Sequence, residues 1–424
     1  MLSRRRFVQT SSFALTGTAC GVAAGDSTST DGLPPAIATL TSMRDQATPI
    51  SVDERRARIE KAKRLMMEQR VGALMLTGGT SMVYFTGMQW GLSERMTAVV
   101  IPARGEAFIV TPAFEEERTI EQARTGPLGA GTAVMTWEED EDPAALVARG
   151  LRDAGVSTGA LGVEETVRFV FSNMVGTAAP AVRLVSGTPV TAGCRTVKDA
   201  HELALMRLAS QVTLKAYEAA WKSLEDGMTQ TRFAELVSLA HRQLGYSGSA
   251  GVQVGEYSAL PHGSVQPQVI REGTILLIDG GCKVEGYSSD LSRTFVLGAP
   301  TDRMKSVFEV ELRAQTAALQ AAAPGVECQA VDAAARKVIE DAGFGPGYTY
   351  FTHRVGHGMG MDGHEWPYLV KGNTLRLEPG MTFSDEPGIY LPGEFGCRLE
   401  DDMVITEGGA ELFTPQSTSL EQPF

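Results

Sequence analysis

The sequence predicts a two-domain protein, an α/β domain followed by an α+β domain. Three observations carry this reading. At 424 residues the chain exceeds what one ordinary hydrophobic core organises. From residue 51 to about 190, helical periodicity alternates with short apolar runs. From about residue 193 onward, pairs of long amphipathic helices alternate with strand-like runs joined by turn formers, the pattern of an α+β layer. The expected partition is a terminal segment over 1–24, a linker over 25–50, and domains over 51–192 and 193–424.

The N-terminal segment reads as an export signal. Ser3-Arg4-Arg5-Arg6-Phe7-Val8 precedes SSFALTGTACGVAAG, an apolar region diluted by Ser and Thr and too short to span a bilayer. This resembles a twin-arginine signal, with cleavage expected after Ala24. It implies a periplasmic or otherwise exported protein that engages the twin-arginine export machinery. Gly17-Thr18-Ala19-Cys20 is a poor lipoprotein box, so a lipid anchor on Cys20 is the lesser expectation. Residues 25–50 are rich in Ser, Thr, Asp, Gly and Pro and read as a linker.

Structure is expected from Ser51. Ser51-Val52-Asp53-Glu54 resembles a capping box ahead of the helical run RRARIEKAKRLMMEQR. ALMLT, MVYFTG, MTAVVIP and AFIVT then read as four short strands, followed by helical stretches near 113–124 and 143–154. The second domain opens near Cys194 with the helix AHELALMRLASQVTLKAYEAAWKSL and a second helix, TRFAELVSLAHRQLG. Strands are expected at 250–254, 274–279 and 291–297, and helices near 303–322 and 329–342.

Composition narrows the partners. The formal net charge of -13 argues against nucleic acid and against anionic membrane surfaces. Outside Cys20, the cysteines Cys194, Cys282, Cys328 and Cys397 form no CxxC or zinc-finger spacing. Cys282 with Cys397 is the one disulfide pairing worth considering.

The C-terminal third carries the chemistry. Asp279 ends the apolar run TILLI, Asp290 precedes LSRTFVL, His357 lies between glycines, Glu386 closes MTFSDE, and Glu400 precedes DDMVI. A carboxylate on a buried strand is costly unless something positive neutralises it. Few Lys or Arg flank these acids. Four carboxylates and one imidazole suit two divalent ions that share ligands. By period two, Arg398 and Glu400 share one face of a strand, so Arg398 can support that carboxylate.

The order of these motifs brings in a resemblance. IDGG, GYSSDLSRTF, HRVGHGMGMDGHE, SDEPGIY and FGCRLEDD resemble the signature segments of the dinuclear metallopeptidases of the pita-bread fold. The nearest branch is the Xaa-Pro peptidases, aminopeptidase P and prolidase. RRARIEKAKRLMMEQRVGALMLTGGTSMVYFTG resembles the creatinase-type N-terminal domain. The resemblance implies that Asp290 and Glu400 bridge two metals, that Asp279 binds one ion, and that His357 with Glu386 binds the other. It implies cleavage of the bond before proline in a peptide substrate. It implies that Glu386 takes the proton of the attacking water and passes it to the leaving prolyl nitrogen. His262 and His364 match histidines that hold the substrate carbonyl and the tetrahedral intermediate. His201, His241 and His353 are left as structural or surface residues. Departures are Glu256-Tyr257 before the Pro261-His262 pair, Ser292 for a threonine, and Asp362-Gly363 before His364.

The resemblance also implies a homodimer. Manganese is the first choice of metal, with zinc, cobalt and iron as alternatives. Dipeptidase and aminopeptidase stay open; Arg398 is a candidate anchor for the free carboxylate of a dipeptide. Other readings on the same fold are a metal-dependent lyase or another small-molecule hydrolase, a metal-free creatinase-type amidinohydrolase, and a binding module without catalysis. The intact ligand set argues against the last two.

Overall fold

The computed structural model describes residues 32–424. The twin-arginine motif, the cleavage position at Ala24 and Cys20 lie outside the described residues.

The first described segment corrects the linker expectation. A short helix, α1 (Pro35–Ala38), buries Ile37, and Met43 and Ile50 are buried as well. Met43 N donates to Leu244 O at 2.9 Å. Polar composition hid three apolar anchors spaced along an otherwise hydrophilic run, and each finds a pocket only after folding.

The N-terminal domain begins with α2 (Val52–Glu68), where Ser51 and Glu54 form the expected capping box. Then come β1 (Ala73–Thr77), α3 (Thr80–Thr86), β2 (Ala98–Pro102), β3 (Phe108–Pro112), α4 (Glu116–Thr125), β4 (Ala133–Trp137) and α5 (Pro143–Asp153). β5 (Gly159–Val163), α6 (Phe169–Ala178), β6 (Val182–Ser186) and α7 (Thr188–Arg195) complete it. The sheet order is β4-β3-β2-β1-β5-β6. β2 is antiparallel to both neighbours and the outer pairs are parallel. Its fully buried strands read as continuous apolar runs. MVYFTG is the exception to the strand reading, because it lies in α3. Its residues are buried nearly all round, so neither period shows, and Gly79 and Gly87 bound it too tightly for length to decide. The boundary expected at residues 192/193 falls inside α7.

The C-terminal domain opens with α8 (Ala200–Trp221), capped by an Asp199–Glu202 capping box, and α9 (Gln230–Gln243), capped by Thr229. These helices cover a sheet of β7 (Gly248–Val254), β8 (Ile275–Val284) and β10 (Leu291–Val296), with β9 (Tyr287–Ser288) paired to the end of β8. Next come α10 (Asp302–Ala321) and α11 (Cys328–Asp341), packed on each other, and then β11 (Gly356–Gly358), β12 (Glu365–Leu369) and β13 (Thr382–Asp385). The chain finishes with β14 (Gly388–Leu391), β15 (Phe395–Arg398), β16 (Asp401–Thr406) and β17 (Gly409–Leu412). The second sheet runs β12-β11-β13-β16-β17. An antiparallel bridge between Ser292 and Glu400 joins the two sheets where the acids gather.

β8 runs past Asp279 to Val284, where a loop was expected. The reason is close backbone approach: a Cβ on Gly281 would lie 2.0 Å from Ser289 O, so glycine lets the hairpin close. Asp279 therefore sits mid-strand, paired with Ser292.

All four described cysteines are free and buried, which overturns the Cys282–Cys397 pairing. Cys282 turns its thiol to Ala209 O in α8 at 3.5 Å, whereas Cys397 belongs to the separate core under α10 and α11. Among the described residues, no helix is long and apolar enough to cross a membrane.

Candidate metal centre

The five predicted ligands converge. Asp279 on β8, Asp290 at the start of β10 and Glu400 between β15 and β16 offer oxygens that lie within 4.8 Å of one another. His357 on β11, Glu386 after β13 and Glu400 form a second such triple. Two of these donor triples thus share Glu400. Asp290, His357 and His364 form a third triple, which brings His364 within reach of the same centre. With Pro261, His262, His353, Arg354 and Arg398, these groups line one cavity of about 250 Å³.

Local structure aims each group. His357 Nδ1 lies 3.1 Å from Gly358 O, which orients the ring so that Nε2 faces the acids. Nε2 is 3.2 Å from Glu386 Oε1 and 3.9 Å from Asp290 Oδ2. Ser384 Oγ accepts from His357 N at 3.0 Å and donates to Glu386 Oε1 at 3.2 Å, fixing both. Asp402 Oδ2 accepts from Asp290 N at 3.1 Å and from Ser210 Oγ at 2.8 Å. Arg293, fully buried, pairs with Asp401 at 2.6 Å and donates to Glu400 O at 2.8 Å.

Arg398 supports the centre differently from the sequence reading. Nη2 donates to Asp279 Oδ2 at 2.6 Å, while Nε reaches Ser292 Oγ at 3.0 Å. Ser292 in turn donates to Glu400 Oε2 at 2.6 Å. Arg398 therefore steadies Asp279 directly and Glu400 through Ser292. Its Nη1 is spent on Tyr390 OH and Pro261 O, at 2.9 and 3.1 Å. At 3% side-chain exposure and with four hydrogen bonds already made inside the protein, its geometry argues against a role as anchor for a substrate carboxylate.

The electrostatics call for positive charge. Burial, and then the neighbouring Asp279 charge, push Asp290 up to about 7. Burial and Asp290 push Glu400 well above the carboxylate range. Against its burial, the bond to His357 pulls Glu386 down to about 2. Arg398 alone does not balance these acids. An oxygen-rich donor set with one imidazole, crowded enough to hold protons near neutrality, fits divalent cations. Such ions supply Lewis acidity toward water and toward a carbonyl oxygen.

His364 stacks on His357, with ring centroids 3.7 Å apart and planes 16° from parallel. Burial and the His357 charge lower its pKa, so it is a neutral donor at pH 7. His262 stands exposed on the cavity rim. Two lining residues escaped the sequence reading. His353 is not a surface group: its Nε2 is 2.7 Å from Tyr390 OH and its Nδ1 lies 3.9 Å from Glu386 Oε2. Its position four residues before His357, in a run with two glycines, was the available signal. Arg354 lies over the Tyr368 ring at 4.2 Å and has no carboxylate partner among the described residues. The remaining histidines are structural: His201 bonds Glu54 Oε1 at 2.6 Å and His241 is fully buried.

Comparison with known proteins gives the same outline. Residues 204–407 match metallopeptidase family M24 and residues 58–197 match the creatinase/prolidase N-terminal domain. A probable dipeptidase PepE of Mycobacterium tuberculosis is 36% identical over 80% of this chain and 89% of the relative. An Xaa-Pro dipeptidase of Lactobacillus delbrueckii subsp. lactis is 31% identical over 86% and 98%. The crystal structure of dipeptidase PepE from Mycobacterium ulcerans superposes with a TM-score of 0.82 at 32% identity, covering 88% of this chain and 99% of that one.

Proposed function

Because the chain belongs to metallopeptidase family M24 and carries a creatinase/prolidase-type N-terminal domain, we propose that it hydrolyses the peptide bond before proline. The observation that carries this reading is the pair of donor triples sharing Glu400 beside a small polar cavity. The proposal assigns Asp290 and Glu400 to both of two divalent ions, Asp279 to one and His357 with Glu386 to the other. Manganese is the first choice, since oxygen donors dominate.

The residues divide the labour as follows. Ser384 Oγ holds Glu386 Oε1, which would face the ion, and Oε2 is left to take the proton of the attacking water. The prolyl nitrogen carries no hydrogen in the peptide, so it departs only when protonated, and Oε2 delivers that proton. His262 and His364 converge on the carbonyl oxygen as its charge grows. His353, held by Arg354 O and Tyr390 OH, stands 3.9 Å from Glu386 Oε2.

The substrate we favour is an Xaa-Pro dipeptide. The two curated relatives compared above are named as dipeptidases. Arg354 is the cavity cation left without an acid partner, the group a free proline carboxylate needs. The proposal also includes a homodimer that would cover exposed Phe169 and Leu92, at 82% and 67% exposure. It includes export as well, on the strength of Arg4-Arg5-Arg6-Phe7.

The test is a panel of Xaa-Pro dipeptides, Xaa-Pro tripeptides and proline-free controls, assayed after metal removal and restoration with metal analysis. Metal-restored cleavage confined to Xaa-Pro dipeptides supports the proposal. Two ions with no peptide cleavage moves the function to a lyase or another small-molecule hydrolase. Light scattering tests the dimer, and cell fractionation tests export.

A further inference from the structure

His364 lies on a loop whose shape is not set by its own strand pair. The loop joins β11 to β12, and the register between those strands shifts at His357/Gly358. Two acids flank His364, Asp362 and Glu365, and both turn away from the cavity toward one cation. Arg195 Nη2 donates to Asp362 Oδ2 at 2.6 Å and to Glu365 Oε1 at 2.7 Å. Arg195 closes α7 in the N-terminal domain, 167 residues earlier in the chain. Thr80, at the start of α3 in the same domain, donates to Asp362 Oδ1 at 2.5 Å.

The loop closes on these contacts from within. Asp362 N donates to Glu365 Oε1 at 3.0 Å, and Gly360 N donates to Asp362 O at 3.0 Å. Lys198 approaches Glu365 Oε2 at 3.7 Å from the segment between α7 and α8. A Cβ on Gly360 would sit 2.7 Å from Glu365 Oε1 and 2.9 Å from Lys198 Cε, so the backbone is pressed against the clamp. Arg195 and Glu365 are almost fully buried, with side-chain exposures of 10% and 5%. A planar guanidinium bonded to two carboxylates three residues apart defines the loop's path, and His364 lies between them.

We infer that Arg195 is a positioning residue for His364: the N-terminal domain holds this histidine over His357 through the Asp362–Arg195–Glu365 clamp. Arg195 touches neither substrate nor reacting atoms. This inference rests on the peptidase reading for its kinetic consequence, though not for its geometry. Misplacing a catalytic group by about 1 Å costs on the order of 100-fold in rate. The expected signature is thus a loss in kcat with little change in KM.

The experiment is a double-mutant cycle of Arg195→Ala and His364→Ala, with Asp362→Asn as a second probe because Asp362 is 41% exposed and its loss leaves Arg195 paired with Glu365. Expected is a fall in kcat of about 10- to 100-fold for Arg195→Ala, partial recovery in Arg195→Lys, unchanged metal content, and under about twofold further loss when His364 is already absent. Additive losses would overturn the inference. Independently of activity, the imidazole 13Cε1 signal of His364, assigned by its loss in His364→Ala, is followed in the zinc-loaded protein. It should shift in Arg195→Ala and in Asp362→Asn while His241 stays fixed. A His364 signal unmoved in both variants overturns the inference. Wild-type protein that cleaves no Xaa-Pro substrate would remove the peptidase reading and leave the imidazole measurement to decide the clamp.

Discussion

Ser292 and Glu400 are joined three times. Each backbone N–H donates to the other's carbonyl, at 3.3 and 3.2 Å, and Ser292 Oγ donates to Glu400 Oε2 at 2.6 Å. This contact ties β10 to the segment before β16 at the point where two donor triples share Glu400. Ser292 also accepts from Arg398 Nε at 3.0 Å, so one hydroxyl orders an acid and the cation behind it. Removing it in Ser292→Ala should cost roughly 1–3 kcal/mol of stability and about 10- to 100-fold in metal affinity. Urea unfolding and metal titration measure the two losses. Unchanged metal affinity would show that Glu400 is aimed by the backbone alone.

Asp290→Asn and Glu400→Gln should each abolish metal-restored peptidase activity, because each removes a charge that two seats share. Plasma emission spectrometry of the purified variants should show fewer than two ions per chain. Full occupancy with normal turnover would contradict the ligand assignment.

The crowded acids make a prediction about pH. In the metal-free protein Asp290 titrates near 7, against an ordinary value of 3.8, because it is buried and faces Asp279. Between those values the folded state holds a proton that the unfolded chain has released, so stability falls as pH rises. From pH 5 to 7 chelated wild-type protein should lose roughly 2 kcal/mol relative to Asp290→Asn. Glu386, held at about 2, titrates below this window. Divalent metal should remove the slope and stabilise more at pH 7 than at pH 5. Parallel wild-type and variant profiles in the chelated protein would refute the account.

Arg354→Met should raise KM for Xaa-Pro dipeptides by at least about tenfold, the value of one charge-assisted pair, and leave kcat nearly unchanged. Urea unfolding and metal content should not respond. A loss of stability alongside the raised KM would place Arg354 in the fold rather than at the carboxylate.

Ile37 is fully buried in a segment whose composition suggests a linker. Ile37→Ala should destabilise the protein by about 2–4 kcal/mol, read by chemical unfolding. A change below about 0.5 kcal/mol, the range of surface substitutions, would mean the segment packs without contributing stability.

The sequence by itself determined the class of fold, most element positions and all five converging acid and imidazole groups. Its signals there are local. A capping box, a glycine-bounded histidine and an acid ending an apolar strand each betray themselves within a few residues, because backbone period and turn chemistry are short-range properties. Tertiary structure alone decided the rest. Only folding brings Arg398 to Asp279, 119 residues away, and spends its remaining donors on Tyr390, Ser292 and Pro261. Only folding turns MVYFTG into a buried helix, seats Ile37, faces His353 toward Glu386, and carries Arg195 to the loop of His364. These depend on which distant surfaces meet. A buried polar group is stable only beside its partner, and the linear pattern records that a partner is required without saying which residue will be there.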